Sequence, residues 1–310
     1  MPKGLYTAST AVLLEPGTPW GAVEAVLDAF EPRGRLEPGP RPSRWAGGAC
    51  AVLGMPGGAP GELLVDLVDA PWPDAMGNAK DEPDLFAAWV MGGFGPFVFP
   101  GCLDRAARHA TRWPEALSVA EGHGAFARVR ASQVLGAGQH APILPEGYDA
   151  IAEMTAVTEV AAAILGLDGA LAYFDPNGEV LLGAAHVQRS RDHNAEAGLP
   201  ALDLWANVRM FSVDGGWAFM DTIGMEQVAV TDQEACFRPT DVDPNDVAPF
   251  LRELTLYLLE RGAIIDDGHT VDGPGGAWRA AKHERSLAPA PRGTVRWTRE
   301  GDDPPEVLRA

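Results

Sequence analysis

Two periods organise the apolar positions of this chain. Over residues 204–211, Leu204, Ala206, Val208 and Met210 alternate with Trp205, Asn207, Arg209 and Phe211. Over 217–224, Trp217, Phe219, Asp221 and Ile223 alternate with Ala218, Met220, Thr222 and Gly224. A period of two assigns each set to one face of a strand. Asp214-Gly215-Gly216 between the runs predicts a three-residue hairpin loop with a glycine in the left-handed conformation. That loop sets Val213 opposite Trp217, Phe211 opposite Phe219 and Arg209 opposite Asp221. A two-residue loop would place Arg209 and Asp221 on opposite faces. Paired aromatics and opposed charges favour the three-residue loop.

The helical period appears elsewhere. Val23, Val26, Leu27 and Phe30 form one face of a helix opened by Thr18-Pro19, threonine as cap and proline in the first turn. Val247, Phe250, Leu251, Leu254 and Leu258 form the stripe of a helix that Asp243-Pro244 opens and Gly262 closes. Residues 146–165 are strong helix formers, and shorter helices are expected at 85–90 and 103–113. Strands are expected at 5–14, 49–55, 63–68, 170–174, 179–182 and 263–265. Residues 125–132, where Phe126, Arg128 and Arg130 alternate with smaller apolar residues, predict a half-buried strand. Residues 33–44, 71–84 and 186–200 read as loops, Phe94 to Phe99 as a strand or buried turn, and 266–270 as a turn. From 272 onward apolar residues are sparse, apart from an edge strand at Val295 and Trp297.

Frequent hairpins predict an α+β fold of antiparallel sheets with helices packed on one face. The strand–proline–helix pattern of 5–30 recurs at 94–113, an offset of roughly 85 residues, and raises two related lobes. The expected division is an N-terminal α+β lobe at 1–90, a C-terminal α+β lobe at 91–273 and an irregular tail at 274–310.

Charge narrows the partners. The 310 residues carry a formal net charge of −19, which disfavours nucleic acid and anionic membranes and suits a basic protein. Three cysteines at 50, 102 and 236 lack Cys-x-x-Cys spacing, so free thiols are expected rather than a disulfide framework or zinc ribbon. The N-terminal apolar run is short for a signal peptide, and no run reaches the ~18 apolar residues of a membrane span. A cytoplasmic protein is the expectation.

Chemical motifs are sparse. The seven histidines show neither His-x-His nor His-Glu-x-x-His spacing, and there is no nucleophile elbow or phosphate loop. No catalytic residue, metal or cofactor is therefore expected. The candidate binding residues are Trp205, Asn207, Arg209, Asp221 and Thr222 on the hairpin, with Asp267, His269 and Thr270 downstream. An Arg–Asp pair beside Trp205 and Asn207 could anchor a ligand in a groove. The plainer alternative, which the spacing favours, is a cross-strand ion pair.

The order LDLWANVRMF, TIGM, LYLLERG and DDGHTV resembles the bacterial family called domain of unknown function 4261. The positions that carry the resemblance are Leu204, Trp205, Arg209 and Phe211, then Thr222 and Gly224, then Tyr257, Leu258 and Gly262, then Asp267, Gly268 and Thr270. It is clearest over 201–273 and implies a bacterial, cytosolic α+β protein without a known activity. The leading functional expectation is a non-enzymatic acidic module that binds a basic protein, with toxin or effector neutralisation as its specific form. The alternative is a small-molecule-binding protein or enzyme with a cleft between two lobes.

Overall fold

A computed structural model describes residues 4–37, 43–45, 48–135, 137–138 and 140–309. The fold is α+β, and the chain forms two compact units, 1–205 and 206–310.

Unit 1 contains β1 (Ala8–Leu14), α1 (Trp20–Leu27), β2 (Gly34–Leu36), β3 (Cys50–Gly54), β4 (Glu62–Val68), α2 (Pro83–Val90), α3 (Cys102–His109), α4 (Ala116–Gly122), β5 (Ala125–Ser132), α5 (Ala150–Ile164), β6 (Ala170–Asp175), β7 (Val180–Leu182), α6 (Ala184–Ala197) and α7 (Leu202–Trp205). Its seven strands form one antiparallel sheet, in the order β2-β3-β4-β5-β1-β6-β7. Every residue of β1 and β5 is buried, because both faces of the sheet are covered. α5 packs Met154, Val157, Val160 and Ile164 on one side. On the other, Leu13, Phe126 and Phe174 join a core with Trp72, Trp89, Phe94 and Leu103. Helices on both faces, rather than one, therefore distinguish this sheet from the expected arrangement. β5 is fully rather than half buried.

Several further expectations are corrected. The expected boundary at 90 cuts through this sheet, since β5 lies between β4 and β1. Residues 94–99 form turns, so the strand of the supposed repeat is missing there. Thr18 bonds Glu15 and does not cap α1. Residues 184–197 form α6 rather than a loop. That helix buries only Val187 and Ser190, so it leaves no apolar stripe to read. α4 was not anticipated. The expected loop over 33–44 contains β2, and its residues 38–42 lie outside those described.

Unit 2 contains β8 (Asn207–Val213), β9 (Trp217–Ile223), β10 (Asp232–Phe237), α8 (Pro244–Arg261), β11 (Thr270–Gly273), β12 (Gly276–His283) and β13 (Thr294–Arg299). The sheet order is β11-β12-β13-β10-β9-β8, with β10 parallel to β13 and the other pairs antiparallel. The hairpin register is the three-residue-loop one: Arg209 opposes Asp221, Phe211 opposes Phe219 and Val213 opposes Trp217. Phe211 and Phe219 stack at 4.7 Å. Asp243 caps α8 through the Asn245 amide, as its sequence implies. That helix lays Phe250 against Trp278 and Trp297, at 5.2 and 6.2 Å between ring centroids.

Residues 274–310 are not an irregular tail. They supply β12 and β13, and β13 lies inside the sheet. Residues 263–265 form no strand. Among the described residues no helix is long and apolar enough to cross a membrane.

Candidate functional site

The most concentrated ionisable cluster in unit 2 is built by register. Arg209 opposes Asp221, Asp221 opposes Glu234, and Glu234 opposes Arg296. One row across β8, β9, β10 and β13 thus reads plus, minus, minus, plus. Two carboxylates directly opposed on neighbouring strands are unfavourable unless they are neutralised. The outer arginines supply part of that neutralisation. Arg209 donates from Nε to Asp221 Oδ1 at 3.0 Å and from a terminal nitrogen to Oδ2 at 2.6 Å. Arg296 donates from Nε to Glu234 Oε2 at 2.9 Å.

A third arginine comes from outside the row. The segment 284–293 folds over this face of the sheet and inserts Arg292 beside Asp221 at 2.7 Å and Asp232 at 3.1 Å. Its Leu287 amide donates to Glu234 Oε1 at 2.7 Å. Thr222 donates to Asp232 Oδ1 at 2.7 Å, and the Met225 amide adds a longer bond at 3.3 Å. Three arginines and three carboxylates therefore balance. The Arg209 and Asp221 side chains are fully sealed from solvent, and Arg292 is 5% exposed. Beside them, Trp217, Phe219, Cys236, Ala288 and Leu308 form an apolar cluster.

This enclosure sets the chemistry. Fixed and paired charges inside a dry core bind one another and hold β10, β13 and the 284–293 segment in register; no side chain of the row is presented to a ligand. Burial pushes the Asp232 carboxyl up to about 6, and the Asp221 charge adds to that, against the lowering by Arg292, Thr222 and the Met225 amide. A carboxyl whose folded pKa lies above its ordinary value of 3.8 contributes stability at acid pH, and that contribution fades as pH rises through the folded value. Relative to Asp232→Asn, the wild-type protein is expected to lose roughly 2 kcal/mol of unfolding free energy between pH 4 and pH 7. Denaturant unfolding of both proteins across that range measures this difference. A pH-independent difference would contradict the raised carboxyl.

The expected site residues separate in space. Arg209, Asp221 and Thr222 meet in this network. Trp205 does not share their strand: it ends α7 in unit 1, where its indole nitrogen donates to Thr158 at 2.8 Å. Asn207 begins β8 and is half-buried. Asp267, His269 and Thr270 lie at the opposite edge of the sheet, next to β11. There Asp267 accepts the Lys282 amide, and His269 Nδ1 accepts the Asp266 amide at 3.2 Å. Asp232, Glu234, Arg292 and Arg296 were not recognised from the sequence. The signal for them was the alternation of Asp232 and Glu234 in TDQE with Thr294 and Arg296 in TVRW, which becomes legible once both segments are taken as strands. In unit 1 a surface depression is lined by Glu15, Pro16, Ser118, Val119, Gly122 and Leu171; it holds none of the candidate residues.

The segment that carries most of this network also carries the likeness to known sequences. Residues 221–298 match the family model described as Domain of unknown function (DUF4261). No curated protein and no solved structure matches the chain. The DUF4261 segment starts at Asp221 and ends in β13, so it contains every charged member of the network except Arg209. It begins later than the resemblance at 201–273 and extends further, taking in β12 and β13. The DUF4261 match thus takes in β10, β13 and the end of β9 from Asp221 onward, while β8 lies outside it.

Proposed function

We propose that the protein is a non-enzymatic acidic module that binds a basic protein. The observation behind this reading is the way burial partitions charge. Among the described residues, burial removes seven carboxylates and five arginines, leaving 36 of the 43 acidic and 19 of the 24 basic side chains in the rest of the chain. The acidic excess therefore belongs to the surface, where it steers a cationic partner. α8 offers a face suited to such a partner. Asp246, Glu253, Tyr257 and Glu260 are exposed and recur at helical spacing, and Tyr257 is 46% exposed. An aromatic ring among carboxylates provides contact area alongside charge, the composition favoured at interface centres.

Neutralising a basic toxin or effector is the specific form of this reading. Residence in a bacterial cytoplasm belongs to it as well, supported by three buried, unpaired thiols suited to a reducing compartment. The cleft alternative relied on Trp205, Asn207, Arg209 and Asp221 as lining residues; Trp205, Arg209 and Asp221 are buried and Asn207 is half-buried.

Capture from source-cell lysate should yield a stoichiometric basic partner that salt releases. Against that partner, Tyr257→Ala combined with Glu260→Gln should weaken the dissociation constant by about tenfold or more without changing the melting temperature. Recovery of no stoichiometric partner, or affinity indifferent to both salt and the substitutions, would overturn the proposal.

A further inference from the structure

Between β4 and α2, residues 69–82 run without helix or strand and include Pro71-Trp72-Pro73. Neither proline carries an N–H, so the Trp72 amide is the one backbone donor of the three. Trp72 is 5% exposed, and a buried amide needs an acceptor. It finds one in a side chain, donating to His123 Nε2 at 2.7 Å. On its other side the imidazole meets the Ala120 carbonyl, 2.7 Å from Nδ1. These two contacts fix the protonation of the ring. A carbonyl only accepts, so Nδ1 carries the hydrogen and donates it. An amide only donates, so Nε2 keeps its lone pair. The ring is therefore neutral, and a second proton on Nε2 would point at an N–H.

The segment held by His123 also supports α3. That helix has no side-chain cap of its own, and Gly101 precedes it at φ 80°. Asp74 caps it from outside. Its carboxylate accepts the Leu103 amide at 2.9 Å and the Asp104 amide at 2.7 Å, and its carbonyl accepts the Gly101 amide at 2.7 Å. The Trp72 ring packs into the aromatic core against Phe94, Phe126 and Phe174, with centroids 5.2, 5.0 and 5.0 Å away. We propose that His123 is an acid-released latch: protonation of its ring frees residues 71–76 from the core of unit 1 and leaves α3 uncapped.

Burial pushes the His123 pKa below the usual 6.5, against the hydrogen bonding of Ala120 and Val119 and the charge of Asp74. On α3, Asp104 pairs with Arg108 and Arg105 with Glu179, while His109 is half-buried. Burial keeps the Cys102 thiol beside Asp74 protonated. On β5, Arg128 and Arg130 are held by Asp66. Glu115 and Glu121 flank the ring's own helix, α4, and with Glu15 after β1 they are exposed. A histidine whose folded pKa lies below its unfolded one stabilises the fold while it is neutral. That contribution is complete above the unfolded value and is lost as pH falls below it towards the folded one. Opening lets the ring take its proton, so acid raises the population of the open segment. The latch lies within unit 1 and is independent of the basic partner.

Amide hydrogen exchange of the full chain, followed residue by residue by NMR, is the test. Protection factors divide out the chemical pH dependence of exchange. Protection of Trp72, Leu103 and Asp104 should fall together by at least about threefold from pH 7 to pH 5, while that of β1 and β5 holds. Nitrogen shifts of the His123 ring should show the neutral Nδ1–H tautomer at neutral pH. His123→Gln places an acceptor near the position of Nε2 that does not titrate in this range. Its Trp72 protection should therefore be equal at both pH values, whatever its absolute level, and the wild-type readings decide the matter if that variant does not fold. Unchanged protection in the wild type, a fall at Trp72 without one at Leu103 and Asp104, or a fall shared by β1 and β5 would each overturn the inference. So would an Nε2–H ring, or a His123→Gln protein with the wild-type pH dependence.

Discussion

Asp221→Ala is expected to lower the unfolding free energy of the 206–310 unit by about 3–5 kcal/mol, the usual cost of removing one partner of a buried ion pair. The carboxylate accepts from two arginines: Arg209 by a two-point contact at 3.0 and 2.6 Å, and Arg292 at 2.7 Å. Its loss removes the carboxylate that two buried guanidinium groups share, while Arg292 keeps Asp232. The cost is chiefly that of leaving buried donors and charge less well compensated, more than the attraction that was lost. Arg209→Lys should be milder yet clearly destabilising, because an ammonium cannot reproduce the planar fork. Denaturant unfolding followed through β9 and β10 by hydrogen exchange measures both. A loss under about 1 kcal/mol for Asp221→Ala would place the pair in the solvated, weakly coupled class.

Asp66→Ala should have a comparable effect in unit 1, about 3–5 kcal/mol. Asp66 on β4 faces Arg128 on β5 in register, accepting from it at 3.0 and 2.5 Å and pairing with Arg130 at 3.1 Å. Arg128 also donates to the carbonyls of Trp45 and Gly93 at 2.9 and 3.0 Å, so it is tied to the loop beneath the aromatic core. Burial alone would raise the Asp66 carboxyl. The two guanidinium groups outweigh burial and hold it below its ordinary 3.8. The sign follows from that depression: the stabilisation is complete above the ordinary value and disappears as pH falls through the folded one. Wild type should therefore lose its advantage over Asp66→Ala only under strongly acidic conditions, the reverse of the behaviour expected at Asp232. Thermal unfolding of both proteins from pH 2 to pH 7 separates the two cases, and an advantage that persisted at the acid limit would contradict the ion-paired state of Asp66.

The two carboxylates differ because of their surroundings. Asp66 sits between two cations, whereas Asp232 shares Arg292 with Asp221. Sharing one cation between two acids leaves burial the stronger influence at Asp232.

Local chemistry was enough to determine the hairpin of this protein. Asp214-Gly215-Gly216 and the alternation on either side select one register, because a slip by one residue would separate Arg209 from Asp221 and Phe211 from Phe219. The α8 stripe with its Asp243 cap, the strands at Ala8–Leu14 and Glu62–Val68, and the α+β class were legible for the same reason: each is written in periodicity and capping within a few residues. α6 was not legible, because a helix that buries two residues carries almost no amphipathic signal. Nor was β10, and β13, expected as an edge strand at Val295 and Trp297, lies inside the sheet; their buried Asp232, Glu234 and Arg296 resemble solvent-facing charges until they are set side by side. Whether a charge lies in water or in a core depends on what covers it, here the 284–293 segment and its Arg292. That cover is contributed from 60 residues away from Asp232, so tertiary structure alone decided that the candidate Arg209–Asp221 pair would be an internal brace rather than an open binding site.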